Sequence, residues 1–326
     1  MKVRFFDPGK GYLKIKDEID AEMQRVLAAG DLILREDTEK FEQNLARFVG
    51  TKYAVAVSSG TDALYLAIKA LQLKGKRVAV PAHTFKATCG AVVNAGAIPV
   101  VYDMKGFKGN IDSINAIIPV HISGELVRTD YEVPVIEDAA QALGAVKNPT
   151  TNAQCWSFYP AKILGAYGDA GAITTNDEKI ADYVREARNH FKTRNDDFGG
   201  NYRMDNLQAA ILNVKFQYLP AYLARRAEIA EIYRALRGMV ILPDYYKDRV
   251  WQDYIVRTEK RDALYDFLKK EGIETIKNEY PWSPEYPKLP LTAKYEAETL
   301  RLPINENLTN EEVEYVIKKI NEFALL

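Results

Sequence analysis

The sequence predicts an α/β fold in which a mostly parallel central sheet fills a large domain and a smaller α+β domain closes the chain. Short apolar runs at 54–57, 77–80, 98–102, 116–120 and 133–136 are each separated by a helical or loop segment, the alternation that buries a parallel sheet between helices. With 326 residues, 47% of them hydrophobic and 27% charged, the chain has the length of about two domains and the composition to bury a sizeable core. Beyond Gly238 the pattern changes to a strand-like run at 251–256, a helix at 261–270 and a closing helix at 310–323. Residues 1–220 are therefore expected to form the large domain, N-terminal helices included, and 221–326 the smaller one.

Taken in order, Ile15, Ile19, Met23, Val26 and Leu27 recur at helical spacing up to Gly30. A second helix is expected from Thr38 as N-cap through Phe41, Leu45 and Phe48 to Gly50. The strand-like run 155–158 leads into a glycine-punctuated loop, 172–175 reads as a further strand, and Asp177 is placed to cap a helix through Ile180, Val184 and Ala187. Residues 193–203, rich in Asn, Asp and Gly, read as a loop. A long helical stretch follows from about 204 to 236, with Pro220 expected to kink or divide it.

Composition excludes several classes. The 44 basic and 45 acidic residues leave a formal charge of −1, without the electrostatic footprint that nucleic-acid binding needs. Cys89 and Cys155 stand far apart and in no metal spacing, which fits a reducing compartment. The longest uncharged run, 87–102, is shorter than the roughly 20 residues of a spanning helix. Its N-terminus is too polar for a signal peptide, and a cytoplasmic location with no membrane partner is expected.

Ligands of a parallel α/β sheet sit beyond the carboxyl ends of its strands, so the residues there carry the functional reading. After the first run come Ser58, Ser59, Gly60 and Thr61. A helix starting there aims free N–H groups and the positive end of its dipole at an anion, a phosphate cup; the other reading is a plain N-cap. After the second run come His83 and Phe85, one a structural histidine or a catalytic one, the other a core aromatic or a ring that lies flat on a planar cofactor. The run ending at Glu137 and Asp138 buries a carboxylate, which either caps a following helix or faces a protonated ring nitrogen. Lys162 stands between a strand and the glycine-rich loop to Gly171; taken alone it is a surface lysine, but burial would make its amine a nucleophile. Together a buried carboxylate, a reactive amine and an anion cup are what pyridoxal phosphate requires.

Five ordered motifs carry a resemblance: Ser-Ser-Gly-Thr-Asp-Ala-Leu (58–64), Pro-Ala-His-Thr-Phe (81–85), Glu-Asp-Ala-Ala-Gln (137–141), Ser-Phe-Tyr-Pro-Ala-Lys (157–162) and Gly-Asn-Tyr-Arg-Met-Asp (200–205). From about residue 35 onward the chain resembles the DegT/DnrJ-type sugar-nucleotide aminotransferases. The resemblance implies a fold-type I pyridoxal 5'-phosphate enzyme, a homodimer with shared active sites, that moves an amino group from L-glutamate to a nucleotide-linked ketosugar. It implies that Lys162 forms the Schiff base and shuttles the proton, Asp138 holds the pyridine nitrogen protonated and Gln141 meets the ring hydroxyl. Phe85 would stack on the ring, and Gly60, Thr61 and Ser157 would bind the phosphate with Asn201 of the other subunit. Arg203 would meet the substrate.

The loop Lys-Ile-Leu-Gly-Ala-Tyr-Gly-Asp-Ala-Gly (162–171) resembles the branch that acts on 3-keto sugars, a 3-keto-6-deoxyhexose or 3-keto-hexosamine. Action at C4, a sugar dehydratase in which histidine replaces the lysine, and a non-catalytic regulator of the same fold are the alternatives. Three departures bear on the substrate. Ala170 replaces a usual glycine, Asn278-Glu279-Tyr280-Pro281 stands where a His-Tyr-Pro is usual, and the stretch between 124 and 133 is short.

Overall fold

Alternation of residue size along β1 (Tyr53–Val57) shows how the central sheet is built. Val55 and Val57 face one core cluster, while the small Ala54 and Ala56 face a second on the opposite side, as a strand's two-residue period dictates. The computed structural model describes residues 1–104, 106–193, 198–237, 240–243, 249–280 and 289–325. In it β2 (Arg77–Pro81), β3 (Ile98–Tyr102), β4 (Ala116–Ile117), β5 (Ile136–Asp138), β6 (Ala153–Ser157) and β7 (Gly171–Thr175) accompany β1.

β3, β2 and β4 pair in that order, as do β5, β6, β7 and β1. Parallel bridges Ile117 to Val135 and Val120 to Asp138 join the two sets at β4 and β5. Every pairing is parallel except the two made by β7, which runs against both β6 and β1. The carboxyl ends of β1, β2, β5 and β6 consequently share one edge.

The sheet is covered on both faces, as parallel sheets require. α4 (Gly60–Ala70), α5 (Lys86–Asn94) and α6 (Glu178–Ala187) bury Leu64, Leu66, Val92 and Val184 on one side. On the other, α3 (Glu36–Val49) and α7 (Asn206–Phe216) bury Phe41, Leu45 and Leu212 against Trp156 and Phe158. α1 (Pro8–Lys14) precedes α2 (Lys16–Ala29), whose Ile19 packs on Ile211 and Val214 of α7.

A third core lies among α8 (Leu219–Ile232), α9 (Arg261–Lys270), α11 (Asn310–Phe323) and the antiparallel strands β8 (Tyr254–Arg257), β10 (Thr299–Leu302) and β9 (Ile276–Lys277), with α10 (Pro290–Glu298) leading into β10. Val3 belongs to this core: it bridges Ile273, and its N–H donates to Gly272 O at 2.9 Å.

Several expected boundaries move. Thr38 does not cap α3. Arg35 is the extended residue before the helix, and Thr38, inside the first turn, instead donates its hydroxyl to Asn206 Oδ1 at 3.0 Å. The run 116–120 is a strand only over its first two residues, because Pro119 has no N–H to donate. Strand β5 likewise starts two residues after Pro134, not at 133. The 204–236 stretch divides at Gln217 and Tyr218, with Pro220 in the first turn of α8, where a proline is tolerated. Trp251 to Asp253 precede β8 as an irregular connector. Gly238 and Pro281, singled out in the sequence, lie outside the described residues.

No helix of the described residues is long and apolar enough to cross a membrane. Cys89 and Cys155 are both free and buried.

Candidate active site

The anion cup forms where β1 hands over to α4. Ser59 is extended and caps the helix, its Oγ accepting from Asp62 N at 3.1 Å. Ser58 and Ser59 both donate their hydroxyls to Asp62 Oδ2, at 2.6 and 2.8 Å, which fixes the turn. Asp62 also places a carboxylate in the positive first turn. The Gly60 and Thr61 N–H groups open the helix without intrahelical partners, as first-turn donors must. Glycine is required at 60: a Cβ there would stand 2.8 Å from Ser157 Cβ at the end of β6. So the structure brings the cup and Ser157 into contact.

Asp138 ends β5 and is buried. No helix follows it, which removes the capping reading. Its Oδ2 accepts from Thr88 Oγ1 at 2.8 Å and its Oδ1 from Ala140 N at 3.2 Å. Burial raises its carboxyl above the usual range, against the pull of the Thr88 and Ala140 donors and the charges of Lys162 and His121. Among the described residues it makes no ion pair, so its carboxylate is buried at the sheet edge with those two hydrogen bonds to offset the cost.

Lys162 lies in the turns between β6 and β7, its N–H donating to Tyr159 O at 2.8 Å. Burial lowers its amine below the usual lysine value; the Asp253 and Asp138 charges oppose that shift and the Arg301 charge adds to it. Asp138 and Lys162 thus act on each other electrostatically at the same edge.

The other expected residues divide. Phe85, just before α5, is 62% exposed, so its ring is open to a ligand and not part of the core. Gln141 accepts from Ser123 N through Oε1. Asn201 is exposed and its Oδ1 accepts from Arg203 Nε at 2.9 Å; Arg203 also donates to Asn189 Oδ1 at 3.0 Å. Their loop is held beside the cup by Ser58 N donating to Tyr202 O at 2.9 Å. His83 is structural: its Nδ1 lies 3.1 Å from Glu296 Oε1, with Tyr280 and Tyr295 edge-on to the ring.

Sequence reasoning passed over Thr88, Gln252, Asp253 and Arg301. Thr88 stands in the first turn of α5, four residues after Thr84 in the preceding loop, and the two hydroxyls meet at 2.7 Å. Asp253 accepts from Ser123 Oγ at 3.2 Å and lies 3.7 Å from Arg301, whose guanidinium stands over the Tyr280 ring.

The model of the DegT/DnrJ/EryC1/StrS aminotransferase family matches residues 13–321. The chain belongs to this family. It is 34% identical to a "Pleiotropic regulatory protein" of Geobacillus stearothermophilus over 99% of both chains. It is 35% identical to the dTDP-3-amino-3,6-dideoxy-alpha-D-galactopyranose transaminase of Aneurinibacillus thermoaerophilus, again over 99% of both. The crystal structure of S. venezuelae DesV in complex with a ketimine intermediate superposes with a TM-score of 0.91 at 33% identity, covering 99% of this chain and 98% of that one. The fold is accordingly that of the fold-type I pyridoxal phosphate aminotransferases.

As in other DegT/DnrJ members, which depend on pyridoxal phosphate, the site has to accept a ring nitrogen, an aldehyde and a phosphate. The residues present fit those three groups. Asp138 is a buried carboxylate with no ion pair among the described residues, Lys162 is an amine whose charge is disfavoured, and Gly60 lies against Ser157 where a Cβ would not fit.

Proposed function

We propose that this aminotransferase moves the amino group of L-glutamate to C3 of a nucleotide-linked ketosugar, a 3-keto-6-deoxyhexose or 3-keto-hexosamine, with pyridoxal 5'-phosphate as cofactor and a homodimer as the working unit. The observation that carries the reading is a buried carboxylate, Asp138, and an amine whose charge burial disfavours, Lys162, at one sheet edge. Bound there, the cofactor would supply an electron sink for the carbanion left when a substrate carbon loses its proton.

The chain's own residues would divide the remaining work. Gly60, Thr61 and Ser157 hold the phosphate, with Asn201 of the other subunit, and Phe85 covers the ring. Gln141 donates to the ring hydroxyl. Asp138 keeps the ring nitrogen protonated; its burial, costly in an empty site, strengthens that attraction when a cation arrives. Lys162 Nζ takes a proton from one carbon and returns it to another, a task helped by a pKa below that of a solvated lysine. Arg203 contacts the substrate. Exposed Phe85 and Tyr159, two large aromatics beside the site, support burial by a partner subunit.

The choice of C3 rests on the 162–171 loop and on the similarity to a transaminase named for a 3-amino sugar. Lys162 speaks against the dehydratase alternative. The relative named as a regulator keeps a non-catalytic reading in view, but a regulator has no need of a destabilising buried carboxylate. The test is amino transfer from L-glutamate to a panel of 3-keto and 4-keto nucleotide sugars. Appearance of 2-oxoglutarate with a 3-amino sugar is expected. Amination of 4-keto sugars alone would move the reading to C4, and no transfer to any of them would leave the regulator.

A further inference from the structure

Gln252 sits in the connector before β8 and is 8% exposed. Its carboxamide crosses to the loop between β6 and β7, where Oε1 accepts from Ile163 N at 3.1 Å and Nε2 donates to Ala161 O at 3.0 Å. Those are the two residues that flank Lys162. Both ends of one side chain are therefore spent on the peptide groups either side of the amine. A carboxamide offers an acceptor and a donor in one plane without charge, and asparagine is a carbon too short for the same span.

The clamp is anchored behind. Arg226 is buried and donates through Nη1 to Trp251 O at 3.1 Å and Gln252 O at 3.3 Å, while its Nη2 pairs with Glu306 at 3.1 Å. On either side of Gln252 the connector grips the large domain again, through Val250 N to Gly124 O at 3.1 Å and Ser123 Oγ to Asp253 Oδ2 at 3.2 Å. The rest of the lysine loop has other supports, Lys215 on Gly165 O and Gln208 on Tyr167 N at 2.9 Å. Folding of the loop therefore does not hang on Gln252; the orientation of the peptides at Lys162 does.

We propose that Gln252 is a positioning residue that holds the Lys162 amine on line with the cofactor aldehyde from the C-terminal part of the chain. The inference rests on Lys162 being the cofactor-bearing amine. A displacement of about 1 Å at a reacting group costs on the order of a hundredfold in rate, which sets the size of the effect.

The test uses Q252M, which keeps length and removes both hydrogen bonds, and Q252E, which keeps the acceptor. Each variant and the wild-type chain are incubated with pyridoxal 5'-phosphate, reduced with borohydride and mapped by peptide mass, and Ile163 amide exchange is followed without cofactor. Q252M should exchange the Ile163 amide about tenfold faster or more, and should form the reducible Lys162 adduct about ten- to a hundredfold more slowly, with an unchanged KM for L-glutamate. Q252E should protect the Ile163 amide and still form the adduct slowly, because the Ala161 contact is gone. Adduct formation at the wild-type rate in a folded Q252M, or in Q252E if Q252M does not fold, overturns the inference. Failure of the wild-type chain to give any adduct at Lys162 overturns the underlying reading instead.

Discussion

Thr88 donates its hydroxyl to Asp138 Oδ2 at 2.8 Å from the first turn of α5, and the Thr84 hydroxyl backs it at 2.7 Å. A helix start on one strand's end thus steadies the charge on another's. Replacing Thr88 by valine keeps the shape and deletes the donor. A hydrogen bond to a charged group contributes roughly 1.5–3 kcal/mol, so T88V should bind pyridoxal 5'-phosphate about ten- to a hundredfold more weakly. Titration by quenching of intrinsic fluorescence measures this, and unchanged affinity would remove Thr88 from the site.

Asp138→Asn separates function from stability. Burial raises the folded carboxyl above its ordinary value of 3.8, so between the two values the native state binds more protons than the unfolded chain. Native stability therefore falls as pH rises through the folded value, and the penalty stays at neutral pH. Without cofactor, D138N should resist urea better than wild type at pH 8, with the gap closing as pH falls toward about 4. Its affinity for the cofactor should drop sharply. A less stable apo D138N at pH 8 would contradict the uncompensated burial.

Lys162 is flanked by opposing charges. Arg301 pushes its amine down and Asp253 holds it up. Adduct formation with pyridoxal 5'-phosphate, which needs the neutral amine, should shift to higher pH in R301M and to lower pH in D253N. Stopped-flow rates across pH read both, and shifts of the same sign would refute the arrangement.

Three glycines give a graded series. A Cβ on Gly171 would stand 2.2 Å from Ser59 C, on Gly60 2.8 Å from Ser157 Cβ, and on Gly90, inside α5, it would meet nothing within 4 Å. G171A should lose about 1–3 kcal/mol of stability through backbone displacement. G60A should lose cofactor affinity more than stability. G90A should gain roughly 0.5–1 kcal/mol, since helical glycine is unfavourable relative to alanine. Thermal unfolding with and without cofactor ranks all three.

How much of this was legible depended on sequence distance. Asp138 ends a strand and Lys162 follows one in a glycine-rich loop, and both places are marked by local pattern. The cup was marked by Ser-Gly-Thr before an apolar helix. Thr88 and Gln252 reach their partners across 50 and about 90 residues, and nothing local in the sequence states where such side chains arrive. Thr38 misled because the hydroxyl that favours a cap was engaged by Asn206, a tertiary partner from α7. The ends of the runs at 116–120 and 133–136 moved because Pro119 and Pro134 interrupt the ladder without interrupting the apolar pattern.

The reversed strand β7 places Gly171 opposite Val57 on one side and Ser157 on the other. A single inserted or deleted residue in that strand would slide it past both neighbours at once, so half a site cannot be lost alone. Anyone splitting, permuting or grafting this polypeptide should keep 57–62 and 157–175 intact and cut instead near the exposed Arg128 and Asp130.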